Sequence, residues 1–117
     1  MTKLKIYHNP RCSKSRETLQ LINNAHADVE IIDYQKASIT KKELEDVLMK
    51  LNMTPEQIVR KGEALYKANY KDKKFGKEEW IQILIENPIL IERPIVVKEN
   101  KAVLGRPPEN VLELLKN

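Results

Sequence analysis

The spacing of apolar residues switches from strand-like to helical and back within the first 34 residues, which limits the possible folds more than any other feature of the chain. Leu4 to Tyr7 alternates weakly and ends at Asn9-Pro10, a strand running into a loop. Between Ser13 and Ala25, the residues Thr18, Leu19, Ile22 and Ala25 fall at helical spacing. Val29 to Tyr34 reads as a second strand, with Val29 and Ile31 expected on one face. Strand, helix and strand in so short a stretch favour a parallel pair joined by a crossover helix.

The middle is patterned for helices. Thr40 and Glu43 have capping-box spacing, and Leu44, Val47, Leu48 and Leu51 trace one helical stripe. Thr54, Pro55 and Gln57 announce a further short helix. A third carries Trp80, Ile81, Leu84 and Ile85 and stops near Asn87-Pro88. Lys61 to Phe75 has no clean period and is expected to be a loop or irregular helix. Strand character returns in Ile95-Val96-Val97 and Ala102-Val103-Leu104, separated by a turn of hairpin length. A last helix, opened by Pro107 and Pro108, sets Val111, Leu114 and Leu115 on one face. The order βαβ, helices, ββα is an α/β arrangement on the thioredoxin plan. It predicts one domain over residues 1–117 with a helical insertion at 38–88.

Charge and composition narrow the partners. The net charge of +4 is scattered, and the densest basic cluster (Lys71, Lys73, Lys74) is broken by Asp72 and followed by Glu78 and Glu79. That is a solvated face and not a nucleic-acid surface, so no nucleic-acid partner is expected. No stretch approaches the roughly 18 apolar residues of a membrane span. Lys3, Lys5 and His8 interrupt any secretory-signal layout, and a single cysteine suits a reducing compartment, so a cytoplasmic location is expected. No metal or bound cofactor is expected. His8 and Cys12 have only His26 as a further soft ligand, and glycines at 62, 76 and 105 make no phosphate loop.

Cys12 is the residue with chemistry. It lies after the first strand and at the start of the first helix, where unpaired N–H groups and partial positive charge favour a thiolate. An ordinary thiol is only about 3% ionised at pH 7, so lowering its pKa by two units supplies roughly 25 times more nucleophile. Arg11, Lys14 and Arg16 add positive field nearby, and His8 is within reach as a hydrogen-bond partner. Only five of the 21 basic residues are arginine. Two flank the cysteine, and two more, Arg93 and Arg106, precede a proline that biases them to extended backbone. The guanidinium fork grips oxyanions bidentately, so this usage points to an oxyanion site.

Four segments carry a family resemblance. Ile6-Tyr7-His8-Asn9-Pro10-Arg11-Cys12-Ser13-Lys14-Ser15-Arg16 closely resembles the nucleophile loop of the glutaredoxin-dependent arsenate reductases. Residues 87–97, with Glu92-Arg93-Pro94 at their centre, resemble a second signature of that family, Gly105-Arg106-Pro107 a third, and Ile58-Val59-Arg60-Lys61 a segment that supplies one more arginine. The resemblance implies an enzyme of thioredoxin-like fold that reduces arsenate to arsenite. It implies Cys12 as nucleophile, Arg60, Arg93 and Arg106 as oxyanion ligands, and His8 and Ser15 as supports of the thiolate. It also implies glutathione and glutaredoxin as electron donors, and Pro94 as a cis-proline beside the nucleophile. Two other classes share these features: a redox-responsive transcription regulator of the Spx type, and a thiol oxidoreductase acting on a glutathione mixed disulfide. The regulator typically carries Cys-x-x-Cys, where this chain has Ser15 in the fourth position.

Overall fold

The computed structural model describes residues 3–34 and 39–116. Two compact units emerge, one formed by Met1–Ala37 with Arg93–Asn117 and one by Ser38–Glu92. Residue 38, the expected start of the insertion, lies outside the described residues.

The first unit is a four-stranded sheet in the order β2-β1-β3-β4. Strand β1 (Leu4–His8) leads into α1 (Ser13–Asn24) and then β2 (Val29–Asp33). β1 and β2 run parallel, with Leu4 opposite Val29 and His8 opposite Asp33. The crossover helix implied by the apolar pattern is therefore present. β3 (Ile95–Lys98) pairs antiparallel with β1, and β4 (Lys101–Leu104) antiparallel with β3. The β3–β4 hairpin turns through Glu99 in the left-handed region, at φ 55°. The chain then closes in a 3-10 turn (Pro108–Val111) and a single helical turn, α5 (Leu112–Leu115). Leu4, Ile6, Ile22, Val96, Val111 and Leu114 form the buried core, so one sheet face is covered by α1 and the C-terminal turns. Ile31, expected on one face with Val29, is 53% exposed. β2 is an edge strand of the sheet.

In the second unit α2 (Lys41–Leu51) begins with the expected capping box. Thr40 Oγ1 accepts from Glu43 N–H at 3.1 Å, and Glu43 Oε1 accepts from Thr40 N–H at 3.2 Å. Its Leu44, Val47, Leu48 and Leu51 stripe is buried, and α2 packs against α4 (Lys77–Glu86). The helix expected after Thr54 is a 3-10 turn, Pro55–Ile58. The lysine-rich stretch read as patternless holds a two-turn helix, α3 (Ala64–Asn69). Six residues are too few to establish a period, and aromatic contacts surround this helix: Tyr66 stacks on Trp80, and Phe75 meets Trp80 edge-on with centroids 5.1 Å apart. An antiparallel bridge, Val59 to Ile91, ties the middle of this unit to its C-terminal end and has no counterpart in the sequence pattern. Among the described residues no helix is long and apolar enough to cross a membrane.

Gly105 is packed too closely for a side chain. A Cβ there would lie 2.5 Å from Thr18 Oγ1 and 2.7 Å from Pro94 Cγ. Thr18, fully buried in α1, donates to the Lys14 carbonyl at 2.8 Å and reaches the Gly105 carbonyl at 3.4 Å. The side chain would have to displace both neighbours. Gly105→Ala should therefore lower stability by about 1–3 kcal/mol, read as an earlier urea midpoint at unchanged slope. An unchanged midpoint would show that this contact has room to relax.

Candidate active site

The loop from β1 to α1 is pinned by Asn9, which is buried. Its N–H donates to Ser15 Oγ at 3.1 Å, its Oδ1 accepts from Arg11 N–H at 3.0 Å, and its carbonyl accepts from Cys12 N–H at 3.0 Å. Ser15 Oγ also shares a hydrogen bond with His8 Nδ1, so strand end, loop and first helical turn are joined through one buried hydroxyl. The sequence showed Asn9-Pro10 only as the end of a strand. An Asn before a turn can bond its own backbone two residues on, the signal that identifies this role.

These bonds leave Cys12 at the N-cap of α1, with extended backbone (φ −93°, ψ 123°) and its carbonyl accepting the first helical bond, from Arg16 N–H at 3.0 Å. The cap is usually Ser, Thr, Asp or Asn, whose oxygen takes a bond from a first-turn amide. The sulfur closes no full capping bond of that kind, yet the first-turn amides lie close enough to stabilise its charged form. Burial is the largest single influence on the thiol and pushes its pKa up. Hydrogen bonding from the Ser15 amide, the Arg93 side chain and the Lys14 amide, with the Arg93 charge, outweighs it, so the thiol lies below its ordinary value. Among the charges, that of Arg93 lowers the thiol. Arg16 donates Nη1–H to the Pro10 carbonyl at 2.9 Å and braces the loop.

Arg106 approaches the sulfur from β4's end, with Nη1 3.9 Å from Cys12 Sγ and 3.1 Å from the Arg93 carbonyl that accepts from it. Asn110 Nδ2 donates to the carbonyls of Leu104 (3.0 Å) and Arg106 (3.2 Å), which fixes the corner carrying this arginine. Both Arg93–Pro94 and Arg106–Pro107 are cis; the first was expected, the second was not. His8 is held below the ordinary histidine range, chiefly by burial; the Asp33 charge opposes this and the Arg16 charge reinforces it. His26 sits past the far end of α1, in the left-handed region, so helix length separates it from Cys12.

Cys12, His8, Ser15, Arg93 and Arg106 thus meet within the first unit. Arg60 belongs to the second, where Nε donates to Glu63 Oε1 at 3.1 Å and Nη1 to Glu92 Oε1 at 3.3 Å.

A thioredoxin-like sheet that presents one helix-capping cysteine to two guanidinium groups defines a thiol-centred cationic site. The profile of the ArsC family matches residues 7–114, and the chain belongs to that family. The chain is 47% identical over 118 residues to the uncharacterized protein YfgD of Escherichia coli strain K12, covering 98% of this chain and 99% of that one. It is 42% identical over 112 residues to an arsenate reductase of Haemophilus influenzae, covering 94% and 97% respectively. The solved structure of an arsenate reductase from Vibrio cholerae superposes with a TM-score of 0.90 at 41% identity, over 96% of this chain and 97% of that one.

Two of the influences that lower the Cys12 pKa belong to Arg93. Arg93→Ala should raise the midpoint of the pH–alkylation curve of Cys12, because the thiolate loses both a donor and a charge. Arg93→Lys should restore the charge and only part of the hydrogen bonding. A midpoint that does not move in Arg93→Ala would leave the helix amides as the source of activation.

Proposed function

We propose that this protein reduces arsenate to arsenite, with the Cys12 thiolate as nucleophile and Arg93 and Arg106 as the groups that hold the oxyanion. The observation that carries this reading is the convergence on one sulfur of the Ser15 and Lys14 amides, the Arg93 guanidinium and the Arg106 Nη1. Such donors stabilise a thiolate before reaction and the negative oxygens of an adduct afterwards. Relatives named arsenate reductases, matched over nearly their full length, support arsenate as the substrate. Arg60 is assigned to the oxyanion by the family resemblance. His8 and Ser15 support the thiolate by bracing the loop, and we assign the protein to the cytoplasm, where reduced thiols are plentiful.

The electron count dictates the rest of the mechanism. The Cys12 sulfur attacks As(V) and an oxygen of arsenate leaves as water, giving an arsenic–thiolate adduct. Reduction to As(III) needs two electrons, and this chain has one cysteine, so a second thiol must come from outside. Glutathione attacks, arsenic leaves as arsenite with the electron pair, and the two sulfurs are left joined as a mixed disulfide on Cys12. Glutaredoxin then cleaves that disulfide, which returns the thiolate.

Cys12→Ser should keep the fold and abolish turnover. Arg106→Ala should lower kcat/KM for arsenate by about 10- to 100-fold, the effect of one charge-assisted hydrogen bond, with partial recovery in Arg106→Lys. Multiple turnovers should require glutathione plus glutaredoxin. Efficient turnover driven by thioredoxin with no small thiol present would overturn the mechanism.

A further inference from the structure

Asn9-Pro10-Arg11-Cys12 is a four-residue turn, closed by the Cys12 N–H, which donates to the Asn9 carbonyl at 3.0 Å. Pro10 and Arg11 take its two central positions, and proline presets the first of them. The backbone that carries Arg11 is held from both sides. Its own N–H donates to Asn9 Oδ1 at 3.0 Å, and the Pro10 carbonyl accepts from Arg16 Nη1 at 2.9 Å. The side chain is not held. Arg11 is exposed, and among the described residues its guanidinium has no hydrogen-bond or ion-pair partner. The other arginines of the chain are engaged: Arg16 with Pro10, Arg60 with Glu63 and Glu92, Arg93 with the Cys12 sulfur, and Arg106 with the Arg93 carbonyl. Lys14 Nζ lies 3.8 Å from Glu17 Oε2. A guanidinium on a fixed backbone, one residue from the nucleophile, is available to a molecule that arrives there.

We propose that the Arg11 guanidinium binds a carboxylate of the incoming thiol, glutathione. This rests on the reading that glutathione resolves the Cys12 adduct. Glutathione is a tripeptide whose thiol lies between two carboxylates, one at each end. When its sulfur comes within bonding distance of the Cys12 sulfur, those carboxylates must fall around the Cys12 loop. Arg93 and Arg106 face the Cys12 sulfur and are then occupied by the arsenic oxygens, so the carboxylate meets a different cation. Consecutive Cα atoms are about 3.8 Å apart, so residues 11 and 12 can take two groups of one small molecule. The fork of a guanidinium matches a carboxylate bidentately, and the fixed turn means that binding orders the side chain and not the loop. Recognition of this kind speeds the second half of the reaction and leaves the first, the attack on arsenate, to the other arginines.

The test separates the disulfide chemistry from arsenate. The Cys12 thiolate attacks one sulfur of oxidised glutathione. That S–S bond breaks, the other half leaves as a thiolate with the electron pair, and the same mixed disulfide forms on Cys12. Its rate constant is compared with that for bis(2-hydroxyethyl) disulfide, which has no carboxylate, and the ratio of the two cancels any change in the thiolate itself. The parent should show a larger ratio than N-acetylcysteinamide, an uncharged free thiol. Arg11→Ala should lower the ratio by about three- to tenfold, and Arg11→Lys should recover part of it. Esterifying the carboxylates of oxidised glutathione should lower the parent's ratio more than that of Arg11→Ala. An equal fall in both, or an unchanged ratio in Arg11→Ala, would overturn the role of Arg11 and leave glutathione as the thiol. A parent with no preference beyond that of the free thiol would overturn it at its premise, that the Cys12 loop recognises the tripeptide. Neither outcome touches arsenate reduction, which this assay does not involve.

Discussion

The contest at the Cys12 sulfur, between burial and the donors that face it, governs the rest of the site. Partial burial alone would make the thiol less acidic than a free one. The Ser15 and Lys14 amides oppose that, together with Arg93, because Cys12 occupies the N-cap, and Asn9 and Ser15 tie the preceding loop to β1 and to the first turn. Each of the loop bonds is between neighbours in sequence. The loop and helix cap that carry the thiol are therefore assembled locally.

The arginines are the long-range contribution. Arg93 leads into β3 and Arg106 follows β4, so the hairpin brings both to the sulfur from the opposite end of the chain. Their position depends on how closely β4's end sits on α1. There Gly105 leaves no room for a side chain against Thr18 and Pro94, and Asn110 holds the Arg106 backbone. A packing constraint in the core is thus also a constraint on the two arginines that face the sulfur.

Much of this was legible in the residues before any coordinates. The period switches gave the strand and helix order of the first unit, and β1, α1 and the β3–β4 hairpin fall where the pattern placed them. Thr40 and Glu43 marked a true helix start because a capping box is a local, stereochemically specific device. What the residues did not reveal depends on contacts distant in sequence. The helix at Ala64–Asn69 is too short to show a period and leans on Trp80. The Val59–Ile91 bridge joins single residues from segments with no strand pattern. The exposure of Ile31 was not legible either, because alternation reports the face of a strand and not whether that strand lies at a sheet edge. At the site, Cys12 and the proline-preceded arginines were conspicuous by type and position. Asn9 and Asn110 were not, since an asparagine that bonds backbone looks like any other polar residue until its partners are known.

The central claim is that one sulfur both attacks the oxyanion and ends as half of a disulfide with an external thiol. Intact-mass and peptide mass spectrometry of the protein quenched after mixing with arsenate and glutathione, with glutaredoxin withheld, addresses it most directly. The account predicts a single glutathione joined to Cys12, formed in step with one equivalent of arsenite, and absent when arsenate is omitted. Arsenite released in amounts exceeding the protein, with Cys12 recovered unmodified throughout, would contradict it.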